Sequence, residues 1–201
     1  MTPEKVLAYR LRVLNKVKQY FYGDNMLDVG CGDGEDAELM LKYFKKIEGI
    51  DIAENPVWNE HRKENLILKK ADAENLGYPD NSFDTVIEKD VLHHVSDPEK
   101  ALKEMTRVAR KRVILIEANR YNPSFYVFLT LMGKHNHFNQ KRFKDIAQSC
   151  GLKPEIMHFS ARVCPINNSG FIKFFDKMEN LIEKFPPYTP IIEYNLAIIT
   201  K

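Results

Sequence analysis

The sequence predicts an α/β fold in which a mostly parallel sheet is covered by helices on both faces. Three observations carry that expectation. Short apolar runs alternate with amphipathic segments of helical period along the chain. The runs are nearly continuous in Val, Ile and Leu, as strands buried on both faces require. A glycine-rich turn, Gly30-x-Gly32-x-Gly34, joins the first run to a stretch of good helix formers. At 201 residues with 44% hydrophobic and 29% charged side chains, the chain suits a single globular domain with a real core.

The elements follow in order. Thr2 caps a first helix opened by Pro3, and Leu7, Leu11, Leu14 and Val17 share one face of it, inside an N-terminal segment spanning 1–22. Strands are expected at 26–29, 47–52, 66–70, 83–88 and 113–117, with helices at 36–44 and 56–64 between the first three. A helix over 97–110 has the strongest signal. Ser96-Asp97-Pro98-Glu99 supplies a capping-box spacing and a first-turn proline, and Ala101, Leu102, Met105, Val108 and Ala109 form its buried stripe. The last third holds an aromatic-rich segment around 121–138, a helix over 140–149 stopped by Gly151, strands over 155–163 and 191–200, and an aromatic-faced helix between those strands. Neither a linker nor an internal repeat divides the chain.

Charge and cysteine usage remove several function classes. The formal charge of +2 argues against a chain built around nucleic acid. The basic stretches 107–112 and 134–144 read as a helix C-terminus and a solvated amphipathic face. The three cysteines, Cys31, Cys150 and Cys164, are odd in number and lack C-x-x-C spacing, which points to a reducing, cytoplasmic setting. The N-terminus lacks a signal-peptide pattern, and no apolar run approaches the roughly 18 residues of a membrane span.

The glycine turn brings bare backbone close to a ligand at a helix start. A dinucleotide fingerprint, G-x-G-x-x-G, would need glycine at position 35, where the chain has Glu35. Glu35 and Asp36 also put two carboxylates in the first helical turn, which repel an anion resting there. A neutral or cationic ligand suits the loop better. Asp51, which closes the second strand 21 residues after Gly30, is placed to accept hydrogen bonds from two ribose hydroxyls. Asp72, after the third strand, can accept one from an adenine amine.

The four stretches DVGCGDG, GIDI, ADAENL and FDTVIEKDVLHHV, in this order, resemble the class I S-adenosylmethionine-dependent methyltransferases. The likeness is greatest to the small type 11 branch, which includes enzymes of quinone biosynthesis, and it is dense over about 24–118. The resemblance implies a Rossmann-like fold with a seven-stranded sheet, order 3-2-1-4-5-7-6, strand 7 antiparallel, and S-adenosylmethionine as cofactor. It implies that Asp28 approaches the methionine end of the cofactor, that Gly30, Cys31, Gly32 and Gly34 wall the methionine and ribose, and that Asp51 holds the ribose with Ile52 against the adenine. Asp72 and Ala73 would read the adenine edge, and Glu88 would sit beside the methionine amine. In the family the segment over 121–138 acts with the first helix as a lid, and the helix over 168–185 is an insertion relative to many members.

The expected activity is transfer of a methyl group to a small-molecule acceptor by in-line displacement. Alternatives are a non-catalytic S-adenosylmethionine-binding subunit, an RNA methyltransferase and an NAD-dependent dehydrogenase. No catalytic residue is assigned. His94 is the first candidate for a base if the acceptor needs one, against the plainer reading that it closes the pocket. No metal is expected, because His135 and His137 have no further ligand nearby in sequence. The aromatic-faced helix makes a homodimer contact plausible.

Overall fold

The computed structural model describes residues 2–61, 63–123, 126, 137–163, 169–184 and 192–201. Its seven strands are β1 (Asn25–Val29), β2 (Lys46–Asp51), β3 (Leu66–Lys70), β4 (Phe83–Lys89), β5 (Ala109–Ala118), β6 (Glu155–Phe159) and β7 (Tyr194–Thr200). They form one sheet in the order β3-β2-β1-β4-β5-β7-β6. β1 to β5 pair in parallel, and β7 runs antiparallel to both β5 and β6. This is the order that the family resemblance implies.

Side chains alternate across the sheet, and the alternation divides the core in two. On one face, Leu27, Val29, Val86, Val113 and Leu115 pack with helices α3 (Pro98–Val108) and α4 (Gln140–Gln148), through Leu102, Met105, Phe143 and Ile146. On the other, Met26, Ile47, Ile87, Ile114 and Ile116 pack with α1 (Pro3–Val17) and α2 (Glu35–Met40), through Val13, Leu14, Val17, Ala37 and Met40. A fifth helix, α5 (Ser169–Ile182), lies against α1 through ion pairs from Arg12 to Asp176 and Glu179 and from Lys16 to Glu183. Among the described residues no helix is long and apolar enough to cross a membrane.

Several boundaries differ from the sequence reading, each for a local reason. Thr2 precedes α1, but its carbonyl rather than its side chain takes the free amides of Lys5 and Val6. α2 stops at Met40, because the chain must turn so that Lys45 and Lys46 can donate to the Asp24 carbonyl and start β2. The segment after β2 is a single 3-10 turn, Pro56–Asn59, rather than a helix to residue 64. Asp97, not Ser96, caps α3 by accepting from the Lys100 amide at 2.9 Å. Residues 109–112 belong to β5, not to the end of α3, and β6 ends at Phe159. Most of the 121–138 segment, the aromatic run 125–132 apart from residue 126, His135, Cys164, Pro186 and Pro187 lie outside the described residues.

Candidate functional site

The site begins where β1 ends. The amides of Gly30 and Cys31 both donate to the Ile50 carbonyl, at 2.7 and 2.9 Å, which bends the chain over the end of β2. Gly30 has φ +75°, and a Cβ there would stand 2.1 Å from Cγ2 of Val91 in the turn after β4. Only glycine allows that approach. Gly32 is different: at φ +55°, a Cβ would meet no atom within 4 Å, so its backbone faces open space. Three neighbours fix this residue. Its amide donates to Asp51 Oδ2 at 3.0 Å, and its carbonyl accepts from the Trp58 indole at 2.8 Å and from the Asn55 side chain at 3.3 Å. Gly34 then caps the start of α2.

A cavity of about 390 Å³ opens at the carboxyl ends of β1, β2 and β4, within the range of small-molecule sites. Gly30, Asp51, Ile52, Asp72, Ala73 and His94 line it, together with Lys89 and Asp90. Ile52 is 65% exposed there, a large apolar side chain with nothing over it. Asp72 accepts from the Glu74 amide at 2.8 Å through one oxygen only. A smaller cavity of about 50 Å³ lies beneath α1 and shares Gly30 and Lys89 with the first. Asp28 and Cys31 line this second space. Burial pushes the Cys31 thiol far up, so it is no nucleophile at neutral pH.

Asp51, Asp72, Glu74 and Asp90 line the larger cavity, and in the smaller, mostly apolar one Asp28 and Asp36 stand with Arg10 and Lys89. Asp28 is buried at the end of β1, and its carboxyl is pushed up to about 7, first by burial and then by the charge of Asp36, with Lys89 opposing. Asp36 is half-buried, yet Lys89 and Arg10 hold its carboxyl below the usual range. Arg10 on α1 reaches three acids of the turn: Asp33 at 2.5 Å, Glu35 at 3.0 Å and Asp36 at 3.1 Å. Lys89 meets Asp36 at 2.5 Å.

Glu88 lies apart from the other residues named from the sequence. It is fully buried, accepts from the amides of Val91 and Ile116 at 3.1 and 3.0 Å, and lines neither cavity. Burial and the neighbouring Glu117 raise its carboxyl well above the ordinary range. The next acid, Asp90, takes the cavity position instead, with a left-handed φ of +58° and a bond from the Ala118 amide at 2.9 Å. The two adjacent histidines also part company. His94 faces the cavity, while His93 turns inward and meets Glu117 at 2.6 Å through Nδ1.

Arg10, Trp58, Lys89, Asp90 and Glu117 were not singled out by sequence reasoning. For Lys89 and Asp90 a signal existed, since Lys89 ends the fourth strand and Asp90 follows it, where ligands of open α/β sheets gather. Arg10 had none, because its partners stand more than twenty residues away along the chain.

Residues 27–116 match the family model described as a methyltransferase domain. The chain is 29% identical over 142 residues to the uncharacterised methyltransferase YcgJ of Bacillus subtilis, an alignment covering 68% of this chain and 55% of the relative. It is 32% identical over 120 residues to a demethylmenaquinone methyltransferase of Alkalihalophilus pseudofirmus, covering 54% and 50%. The chain thus spans about half the length of these relatives. The fold superposes with a TM-score of 0.65 on phosphoethanolamine N-methyltransferase 2 of Haemonchus contortus, solved in complex with S-adenosyl-L-methionine; identity is 18%, with 100% of this chain and 57% of that one covered.

Proposed function

We propose that this chain, which belongs to the class I methyltransferase family of the type 11 branch, binds S-adenosylmethionine in the cleft at the end of β1, β2 and β4 and methylates a small organic acceptor. One observation carries the reading: the backbone of Gly32 faces open space while its amide is bound to Asp51, one of the carboxylates that line the cleft. A pyrophosphate would meet repulsion there. A ligand with a ribose, an ammonium and a sulfonium would meet acceptors and negative charge.

The residues fit such a ligand. Asp51 has acceptor capacity left on both oxygens beyond its bonds to Gly32 and Ala53, enough for a ribose diol. Exposed Ile52 offers a flat apolar contact for a purine, with Asp72 and Ala73 at its edge. Asp28 and Lys89, beside the smaller cavity, suit an ammonium and a carboxylate respectively. When bound, the cofactor supplies a methyl group on a positively charged sulfur. The protein's own contribution is alignment and exclusion of water, for which orientation alone can be worth about 7–11 kcal/mol. His94 stands at the cavity wall, where it can accept a proton from an acceptor whose own pKa is high.

The finer parts of the proposal rest on particular features. We read residues 1–201 as one domain, with 1–22 and 121–138 as cover for the cleft; the Arg10 ion pairs support the first of these. A homodimer contact on α5 is supported by exposed Phe174 and Leu181. A reducing cytoplasm is supported by the cysteine pattern.

Calorimetric titration with S-adenosylhomocysteine and, separately, with NAD tests the reading. Micromolar binding of the first with none of the second is expected. Binding of NAD alone, or of neither, would overturn it.

A further inference from the structure

We propose that His93, Glu117 and His137 form a site for one divalent transition-metal ion beside the cleft. The three residues come from separate parts of the chain: the turn after β4, the end of β5 and the segment just before α4. Each offers one ligand atom, and these atoms all lie within 4.8 Å of one another. His93 Nδ1 and the Glu117 carboxylate are already 2.6 Å apart, and the His93 and His137 ring centroids are 4.2 Å apart.

The donor chemistry selects the class of ion. Two imidazoles and one carboxylate make up a borderline-soft set that suits Zn²⁺, Co²⁺ or Fe²⁺, whereas Mg²⁺ and Ca²⁺ prefer all-oxygen shells. Ligand atoms of a tetrahedral zinc site stand about 3.4 Å apart. The His93–Glu117 pair, at 2.6 Å, opens and any wider separation, at most 4.8 Å, closes toward that value by side-chain rotation, with the backbone in place. Glu117 sits on the sheet and cannot drift away, since it is wholly buried and also accepts from the His93 amide at 3.3 Å.

Charge supports the same reading. Glu117 shares its buried surroundings with Glu88 and Asp90, both of which interact with it electrostatically. Burying several carboxylates together is costly unless a cation offsets them. The backbone amides that bond Glu88 and Asp90 offset part of that cost, and a divalent ion held by Glu117 would offset more. A sequence search for ligand spacing misses this set, because 24 residues separate His93 from Glu117 and 20 more lead to His137.

The site stands on protein groups alone and does not depend on the cofactor assignment. Its test is a titration of the full chain, stripped with chelator, with CoCl₂ followed by visible absorption and with ZnCl₂ followed by calorimetry. One equivalent per chain is expected, with the visible bands of a low-symmetry Co²⁺ complex. H137A, whose side chain lies outside the sheet, is expected to weaken Zn²⁺ binding at least about ten-fold while keeping the parent circular dichroism. H93Q should do the same. Absence of stoichiometric binding, or H137A binding as tightly as the parent, would overturn the proposal. S-adenosylhomocysteine binding, titrated on the stripped protein, reports on the cofactor reading separately.

Discussion

The Gly32 amide donates to Asp51 Oδ2 at 3.0 Å, so the acid that closes β2 and the turn that follows β1 form one rigid unit. Replacing Asp51 therefore removes two things at once: an acceptor for the ligand and the anchor of the loop. D51A is expected to lower affinity for S-adenosylhomocysteine by about 10–150-fold, the value of one hydrogen bond to a charged group. D51N, which keeps one acceptor for Gly32, should recover part of the loss. Calorimetry of the three proteins checks this, and unchanged affinity in D51A would contradict it.

Two glycines of the turn should fail in different ways. At Gly30 an added methyl collides with Val91 in a left-handed backbone, so G30A is expected to destabilise the fold by about 2–5 kcal/mol, read as a lowered melting temperature. At Gly32 the same methyl enters open space. G32A should cost only about 1–2 kcal/mol in stability. Its main effect should be on ligand affinity, because the methyl projects from a residue bound to Asp51, which lines the cleft.

Asp28 sets a pH dependence. Its carboxyl is pushed up to about 7 in the folded protein from an ordinary 3.8. Between those values the native state binds more protons than the unfolded state, so this group's contribution falls as pH rises from about 4 to about 7. D28N removes that fall. It should be more stable than the parent at pH 8, by about 2–4 kcal/mol, with the gap closing toward pH 4. Ligand binding should show the opposite trend in the parent. An ionised Asp28 attracts an ammonium, so affinity should rise from pH 6 to pH 8, and D28N should flatten the profile. Urea unfolding and calorimetry at the two ends provide the comparison.

Arg10 holds α1 to the turn through three carboxylates. R10A leaves Asp33 and Glu35 without this cation and Asp36 with Lys89 alone, and should cost about 1–3 kcal/mol. R10K, with a point charge in place of a fork, should rescue only part. Because the acids are partly exposed, added salt should narrow the difference between R10A and the parent. Denaturant melts in 0.05 and 0.5 M NaCl measure this.

How much of this was legible in the sequence depended on how local each cause is. The strands β1 to β4 could be read from their apolar runs, and α3 from its periodic stripe and capping signals. β5 was half hidden. Arg110 and Arg112 look like the basic end of a helix, but in the fold they extend the strand, with Arg110 paired to Asp84 and Arg112 donating to Thr200 at 2.7 Å. Pairing between distant strands overrode local propensity there. The same distinction runs through the site. Gly30 is readable from the turn motif, Asp51 and Asp72 from their strand ends, and Ile52 and Ala73 only through the family resemblance; the structure gathers all five around one cavity. Glu88 follows from the family resemblance, but the structure buries it, and the left-handed turn at Asp90, just past β4, brings that acid to the opening. Contacts such as Arg10 with Asp33 or His93 with His137 join residues whose separation carries no signal until the topology is known.

Trp58 is the sole tryptophan of the chain, 5% exposed, and its indole N–H is bound to the Gly32 carbonyl. Any shift of that carbonyl alters the hydrogen bonding of the one indole present, and with it the wavelength and yield of ultraviolet emission. The molecule therefore carries its own optical gauge of loop position, and stopped-flow fluorescence can time the arrival of an adenosyl ligand on unlabelled protein.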